Sequence, residues 1–139
     1  MRLFLDTSVL LAASGSTQGA SREVFRRAAG NEWALIATPF TLEEAICNLP
    51  LLGPVAGIQW ARLRPLLVVM DDVVTLDRPS VFAAHKDRPI LFGALAWADV
   101  LLTLDREHFG DLLGRTFYDM PILKPGDFLE RERAAGRLR

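Results

Sequence analysis

Apolar and polar positions along this chain follow two periods that take turns. Arg2 to Leu5 is a short apolar run that reads as a strand, and Val9 to Ala13 after Asp6 and Thr7 can begin a helix, which puts Asp6 at the carboxyl end of the first strand. Ala20, Val24, Phe25 and Ala28 then recur at helical spacing, and Gly30 with Asn31 is expected to close that helix with a residue able to take positive φ. Ala34 to Ala37 reads as a second strand. Thr38 follows as a candidate N-cap with Pro39 at the favoured first helical position, and Leu42, Ala45, Ile46 and Leu49 make one apolar face. Glu44 therefore rides on a helix that starts where the second strand ends.

Pro50, Gly53 and Pro54 punctuate the chain, and Val55, Ile58, Ala61 and Leu63 suggest a further helix up to Pro65. Leu66 to Met70 reads as a strand ended by Asp71 and Asp72 in a loop. A helix over about Pro79 to Ala84 precedes His85-Lys86-Asp87-Arg88-Pro89, where Asp87 fits an N-cap with proline two residues on. Ile90, Leu91, Ala94, Leu95 and Ala98 form the buried face of the next helix, which feeds a strand from Val100 to Thr103 that ends near Asp105. A last strand, Pro121 to Leu123, leads to a terminal helix starting near Asp127. Strands that alternate with helices predict an α/β fold around a mostly parallel sheet. No repeat or linker divides the chain, so residues 1–139 are expected to form one domain, with a basic tail over 131–139 that frays.

Composition narrows the setting. Half of the 139 residues are apolar, enough to bury a core without metals or disulfides as staples. Cys47 is the only cysteine and is expected to be a small core residue of a reduced, cytoplasmic protein, since no secretory signal opens the chain. The longest apolar stretches fall short of the roughly 18 residues a membrane span needs, so no membrane segment is expected. With 16 basic against 17 acidic residues the chain carries a net charge of −1, and any polyanion must be gripped locally. Only Lys86 and Lys124 among the basic residues are not arginine, the side chain whose planar fork matches phosphate; codon bias would give the same usage. Trp33, Trp60 and Trp97 are expected to anchor a core or interface.

The informative polar residues are carboxylates at element ends. Asp6, Asp87 and Asp105 lie at predicted strand or helix ends that an α/β sheet gathers on one edge, and Glu43 or Glu44 lies on a helix nearby. Carboxylates brought within a few ångströms raise one another's pKa unless a cation neutralises them. Hard oxygen ligands favour Mg²⁺ or Mn²⁺ over zinc, and His85 and His108 are too isolated for a zinc site. Such an ion polarises a phosphoryl oxygen and lowers the pKa of water, so an acid-only site points to phosphoryl chemistry.

Leu3-Phe4-Leu5-Asp6-Thr7-Ser8-Val9-Leu10 resembles the opening motif of PIN-domain ribonucleases, and Thr38-Pro39-Phe40-Thr41-Leu42-Glu43-Glu44-Ala45 resembles their second acidic motif. Lys86-Asp87-Arg88-Pro89-Ile90-Leu91 through Ala98-Asp99-Val100-Leu101-Leu102-Thr103-Leu104-Asp105 resembles the segment with the last two family acids. Pro121 to Leu129 is similar to the closing strand and helix of VapC-like members. The resemblance spans nearly the entire chain and implies a PIN-like three-layer α/β/α sandwich. Carried over, it makes Asp6, Glu44, Asp87 and Asp105 the metal-site acids, with Thr7, Ser8 and Thr103 as hydroxyl supports. His108 stands where some members place a further acid. The implied activity is Mg²⁺- or Mn²⁺-dependent endoribonuclease, with metal-activated water as nucleophile and 5′-phosphate and 3′-hydroxyl product ends. The implied partners are RNA, a small cognate antitoxin of a type II toxin–antitoxin pair, and a second copy of the chain in a homodimer.

Other readings compete. Each acid has an ordinary structural role open to it: Asp6 and Asp105 as turn residues, Asp87 as a helix cap, Glu44 as a solvated helix residue. A PIN-like module could bind RNA or protein without chemistry. A flavodoxin-like phospho-receiver wants paired acids after its first strand and a late lysine, where this chain offers Asp6 alone and Leu104-Asp105 after Thr103. A phosphatase of the haloacid dehalogenase kind wants an aspartate where Ser8 stands.

Overall fold

Strand β1 (Arg2–Leu5) buries Leu3 and Leu5 on one side and Phe4 on the other, because successive side chains of a strand point to opposite faces. The computed structural model describes residues 1–73 and 88–139, and the same division sorts them into layers. Leu35, Ala37, Leu102 and Leu123 join Leu3 and Leu5 in one core; Ile36, Leu101 and Ile122 join Phe4 in the other. These residues come from β2 (Ala34–Ala37), β4 (Val100–Leu102) and β6 (Met120–Leu123), which with β3 (Leu67–Val69) and β5 (Thr116–Phe117) complete a six-stranded sheet. Its order is β3-β2-β1-β4-β6-β5, with every neighbouring pair parallel except the β5–β6 hairpin.

Helices cover both faces, as a parallel sheet requires. α1 (Thr7–Gly15), α2 (Ala20–Ala28), α3 (Pro39–Asn48), α4 (Pro54–Leu63) and α7 (Pro125–Ala134) supply the core on the Leu3 side. α5 (Arg88–Trp97) and α6 (Arg106–Phe109) supply Ile90, Leu91, Phe92, Ala94 and Phe109 on the Phe4 side. The protein is thus a three-layer α/β/α sandwich, as the resemblance implied, around the mostly parallel sheet that the alternation predicted. Gly93 sets the closeness of α5 to the sheet, because a Cβ there would stand 3.2 Å from the Phe4 ring and 3.4 Å from Thr38 Cγ2. Among the described residues no helix is long and apolar enough to cross a membrane.

Several expectations are corrected. Cys47 is exposed, and so are Ile46 (55%), Val55 and Ile58, because α3 and α4 turn only Leu42, Ala45, Ala56 and Leu63 fully inward. The left-handed residue that ends α2 is Glu32 (φ 56°), downstream of the expected Gly30 and Asn31. Residues 131–139, expected as a loose tail, are held by hydrogen bonds. Glu132, buried on α7, accepts two bonds from the Arg137 guanidinium at 2.7 and 2.9 Å, which raises the Arg137 pKa further. Arg27 Nη1 and Asn31 Nδ2 then donate to the Arg139 carbonyl at 2.8 and 3.2 Å. Trp33 is buried, meeting Phe128 edge-on at 5.0 Å, while Trp60 and Trp97 pack half-buried against the two cores. The expected helix over Pro79 to Ala84, together with His85 and Asp87, lies outside the described residues.

Candidate active site

The carboxyl ends of the parallel strands carry the acids. β1 and β4 are adjacent, so Asp6, directly after β1, and Asp105, three residues after β4, emerge on one edge. β2 pairs with β1 on its other side and hands over at Thr38 to α3, so Glu44 comes from a helix that starts at the same edge. Thr41 Oγ1 accepts from Thr38 N at 3.1 Å, and the Asp72 carboxylate accepts from Phe40 N at 3.1 Å, which pins the first turn of α3. Glu43 is exposed and Glu44 half-buried.

Hydroxyl groups join these acids. Asp6 is 3% exposed, and its Oδ2 accepts from Thr103 Oγ1 at 2.6 Å and from Ser8 Oγ at 2.8 Å. Each hydroxyl also accepts a backbone N–H: Thr103 Oγ1 from Asp105 N and Ser8 Oγ from Leu104 N, both at 3.0 Å. A hydroxyl owns one proton, so both protons are committed to Asp6, and the 3.5 Å approach of Ser8 Oγ to Thr103 Oγ1 has none left to share. The turn after β4 is thereby tied to the acid after β1. On the other side Thr7 Oγ1 donates to Glu44 Oε1 at 2.9 Å.

Asp105 has a different setting. Its Oδ1 accepts from Glu107 N at 3.0 Å and His108 N at 3.1 Å as the cap of α6, and its Oδ2 lies 2.7 Å from His108 Nδ1. Burial alone would push the carboxyl up, but the His108 side chain, the backbone bonds and the His108 charge together hold it below the usual carboxylate range. A pKa lowered on folding means that Asp105 contributes stability above its unfolded value near 3.8, lost as pH falls through the lower folded value. Neither α6 nor the His108 contact was expected from sequence. The one available signal was an aspartate three residues before a histidine, the spacing of a cap and its N3 partner.

Thr103 and Ser8 thus tie Asp6 to the backbone of the Leu104–Asp105 turn, and Thr7, the residue after Asp6, bonds Glu44, while Asp87 lies outside the described residues. α5, which begins at Arg88, starts on the same carboxyl edge, since it runs back to feed β4. Among the described residues no group of three or more His, Cys, Asp or Glu side chains stands ready to hold a metal ion. The donor chemistry suits a hard cation, because the side chains brought to this edge offer carboxylate and hydroxyl oxygens. Comparison with family models, curated proteins and solved structures returns no match.

Proposed function

We propose that this chain is a Mg²⁺- or Mn²⁺-dependent endoribonuclease of the PIN-domain kind and the cytoplasmic toxin of a type II toxin–antitoxin pair. The observation that carries the reading is the hydroxyl bridge at the carboxyl edge of the sheet, where Thr103 joins buried Asp6 to the Asp105 turn. Two acids follow adjacent parallel strands and a third rides on a helix that starts at the same edge, which is where an α/β sheet places its sites. Asp6, Glu44, Asp87 and Asp105 would hold the ion, and Thr7, Ser8 and Thr103 would keep the carboxylates from turning. When bound, the ion supplies a water of lowered pKa and a positive charge facing phosphate. RNA, a small antitoxin and a second copy of the chain are the partners of this reading. A largely apolar groove of about 430 Å³, lined by Ile46, Leu49, Pro50, Gly53, Pro54 and Gly57, would take an amphipathic helix of the antitoxin.

One observation favours a second reading. Asp105 already serves α6, with Oδ1 capping its first turn and Oδ2 against His108 Nδ1, which suits a module that binds RNA without cutting it. A cleavage assay on RNA with single-stranded segments separates the two. Glu44→Gln should lower the Mn²⁺-dependent rate on the order of a hundredfold, and exposed Glu43→Gln should leave it unchanged. Equal rates for both variants, or bound RNA with no product, would remove the nuclease assignment.

A further inference from the structure

We propose that His108 is a positioning residue for Asp105: its Nδ1–H fixes the direction of the carboxylate and thereby sets how tightly a divalent cation is held at the sheet edge. The inference rests on the metal-nuclease reading above. A helix cap needs only the bonds that Asp105 Oδ1 accepts from Glu107 N and His108 N. Held by that oxygen alone, the carboxylate could still swing Oδ2 around Oδ1 through small coupled turns of its two side-chain torsions. The second oxygen meets the imidazole at 2.7 Å, a contact beyond what capping requires, and it stops the swing. An ionised carboxylate only accepts, so Nδ1 carries the proton.

His108 is itself well placed to hold still. Its side chain is 19% exposed, its own N–H is bound to Asp105 Oδ1 at 3.1 Å, and its neighbour Phe109 is fully buried with its N–H on the Asp105 carbonyl at 3.2 Å. α6 is therefore nailed to the core one residue beyond the imidazole. At the other end of the turn, Asp105 N is bound to Thr103 Oγ1, whose proton lies on Asp6 Oδ2. Thr103 thus fixes the backbone of Asp105 relative to Asp6, and His108 fixes the carboxylate that this backbone carries.

The test compares the full chain with His108→Leu, which removes the donor, and His108→Asn, whose amide places an N–H close to the Nδ1 position. Calorimetric titration with Mn²⁺ alone should show His108→Leu binding about 10- to 100-fold more weakly than the parent, with most of the loss recovered in His108→Asn. Melting temperatures in chelator should lie within a few degrees of one another. Parent-like Mn²⁺ binding by His108→Leu would overturn the inference while leaving the nuclease reading intact. Weak binding by a well-folded His108→Asn would overturn it also, since the donor would then not be what matters. A parent that neither binds Mn²⁺ nor cuts RNA would end the nuclease reading, and this inference with it.

Discussion

Thr103 is fully buried, and its one hydroxyl serves two groups, since it donates to Asp6 Oδ2 and accepts from Asp105 N. Valine has nearly the same shape and lacks the oxygen. Thr103→Val should therefore leave a buried acceptor and a donor short of a partner, at about 1–3 kcal/mol. Thr103→Ser keeps the hydroxyl and loses one methyl, at about 0.8 kcal/mol. Urea unfolding of the two variants orders them: a valine variant as stable as the serine variant would show that packing, not the hydroxyl, explains the threonine. Asp6 and Asp105 could be singled out from sequence because a strand's carboxyl end is visible as the point where an apolar run stops at a polar residue, whereas Thr103 was marked only by resemblance. Glu44 was separable from Glu43 only by resemblance, because both flank the same apolar stripe and periodicity cannot order them. His108 escaped because its role depends on a four-residue helix too short to leave a period.

Helix α2 ends in a Schellman motif: Trp33 N bonds the Ala28 carbonyl at 2.9 Å, and Glu32 N bonds the Ala29 carbonyl at 3.2 Å. The position that must be left-handed is Glu32, with φ 56°, and an L side chain there carries a strain of roughly 1–2 kcal/mol. The chain accepts it because Trp33, the next residue, has to enter the core beside Phe128. Glu32→Gly should stabilise the protein by about 1 kcal/mol, and Glu32→Ala, which removes the same charge but keeps Cβ, should not. Thermal melts that rank the alanine variant equal to glycine would contradict the strain argument. Glycine composition pointed to Gly30 instead, since a sequence marks where a helix could stop and not where a distant tryptophan needs it to stop. The β5–β6 hairpin was missed in part for a related reason: Tyr118 (φ 46°) and Asp119 (φ 66°) make its turn where glycine or asparagine would have signalled one.

The parallel strands β1, β2, β4 and β6 were legible because each contains a short apolar run that stops at polar or turn-forming residues. The docking of residues 131–139 was not legible. A basic tail looks solvated until buried Glu132 is seen to face Arg137, and until Arg27 and Asn31 are seen to hold the Arg139 carbonyl. These contacts join α7 to α2 beneath the sheet and leave the carboxyl edge, with its hydroxyl-linked acids, as the side where chemistry would occur. We propose that this edge hydrolyses RNA with a divalent cation and without the 2′-hydroxyl as nucleophile. End-group analysis of RNA treated with the parent and with Asp6→Asn tests it most directly. The parent with Mg²⁺ or Mn²⁺ should yield 5′-phosphate and 3′-hydroxyl ends, and Asp6→Asn, folded but short of one ligand charge, should yield almost none. A 2′,3′-cyclic phosphate, or undiminished cleavage by Asp6→Asn, would contradict the account.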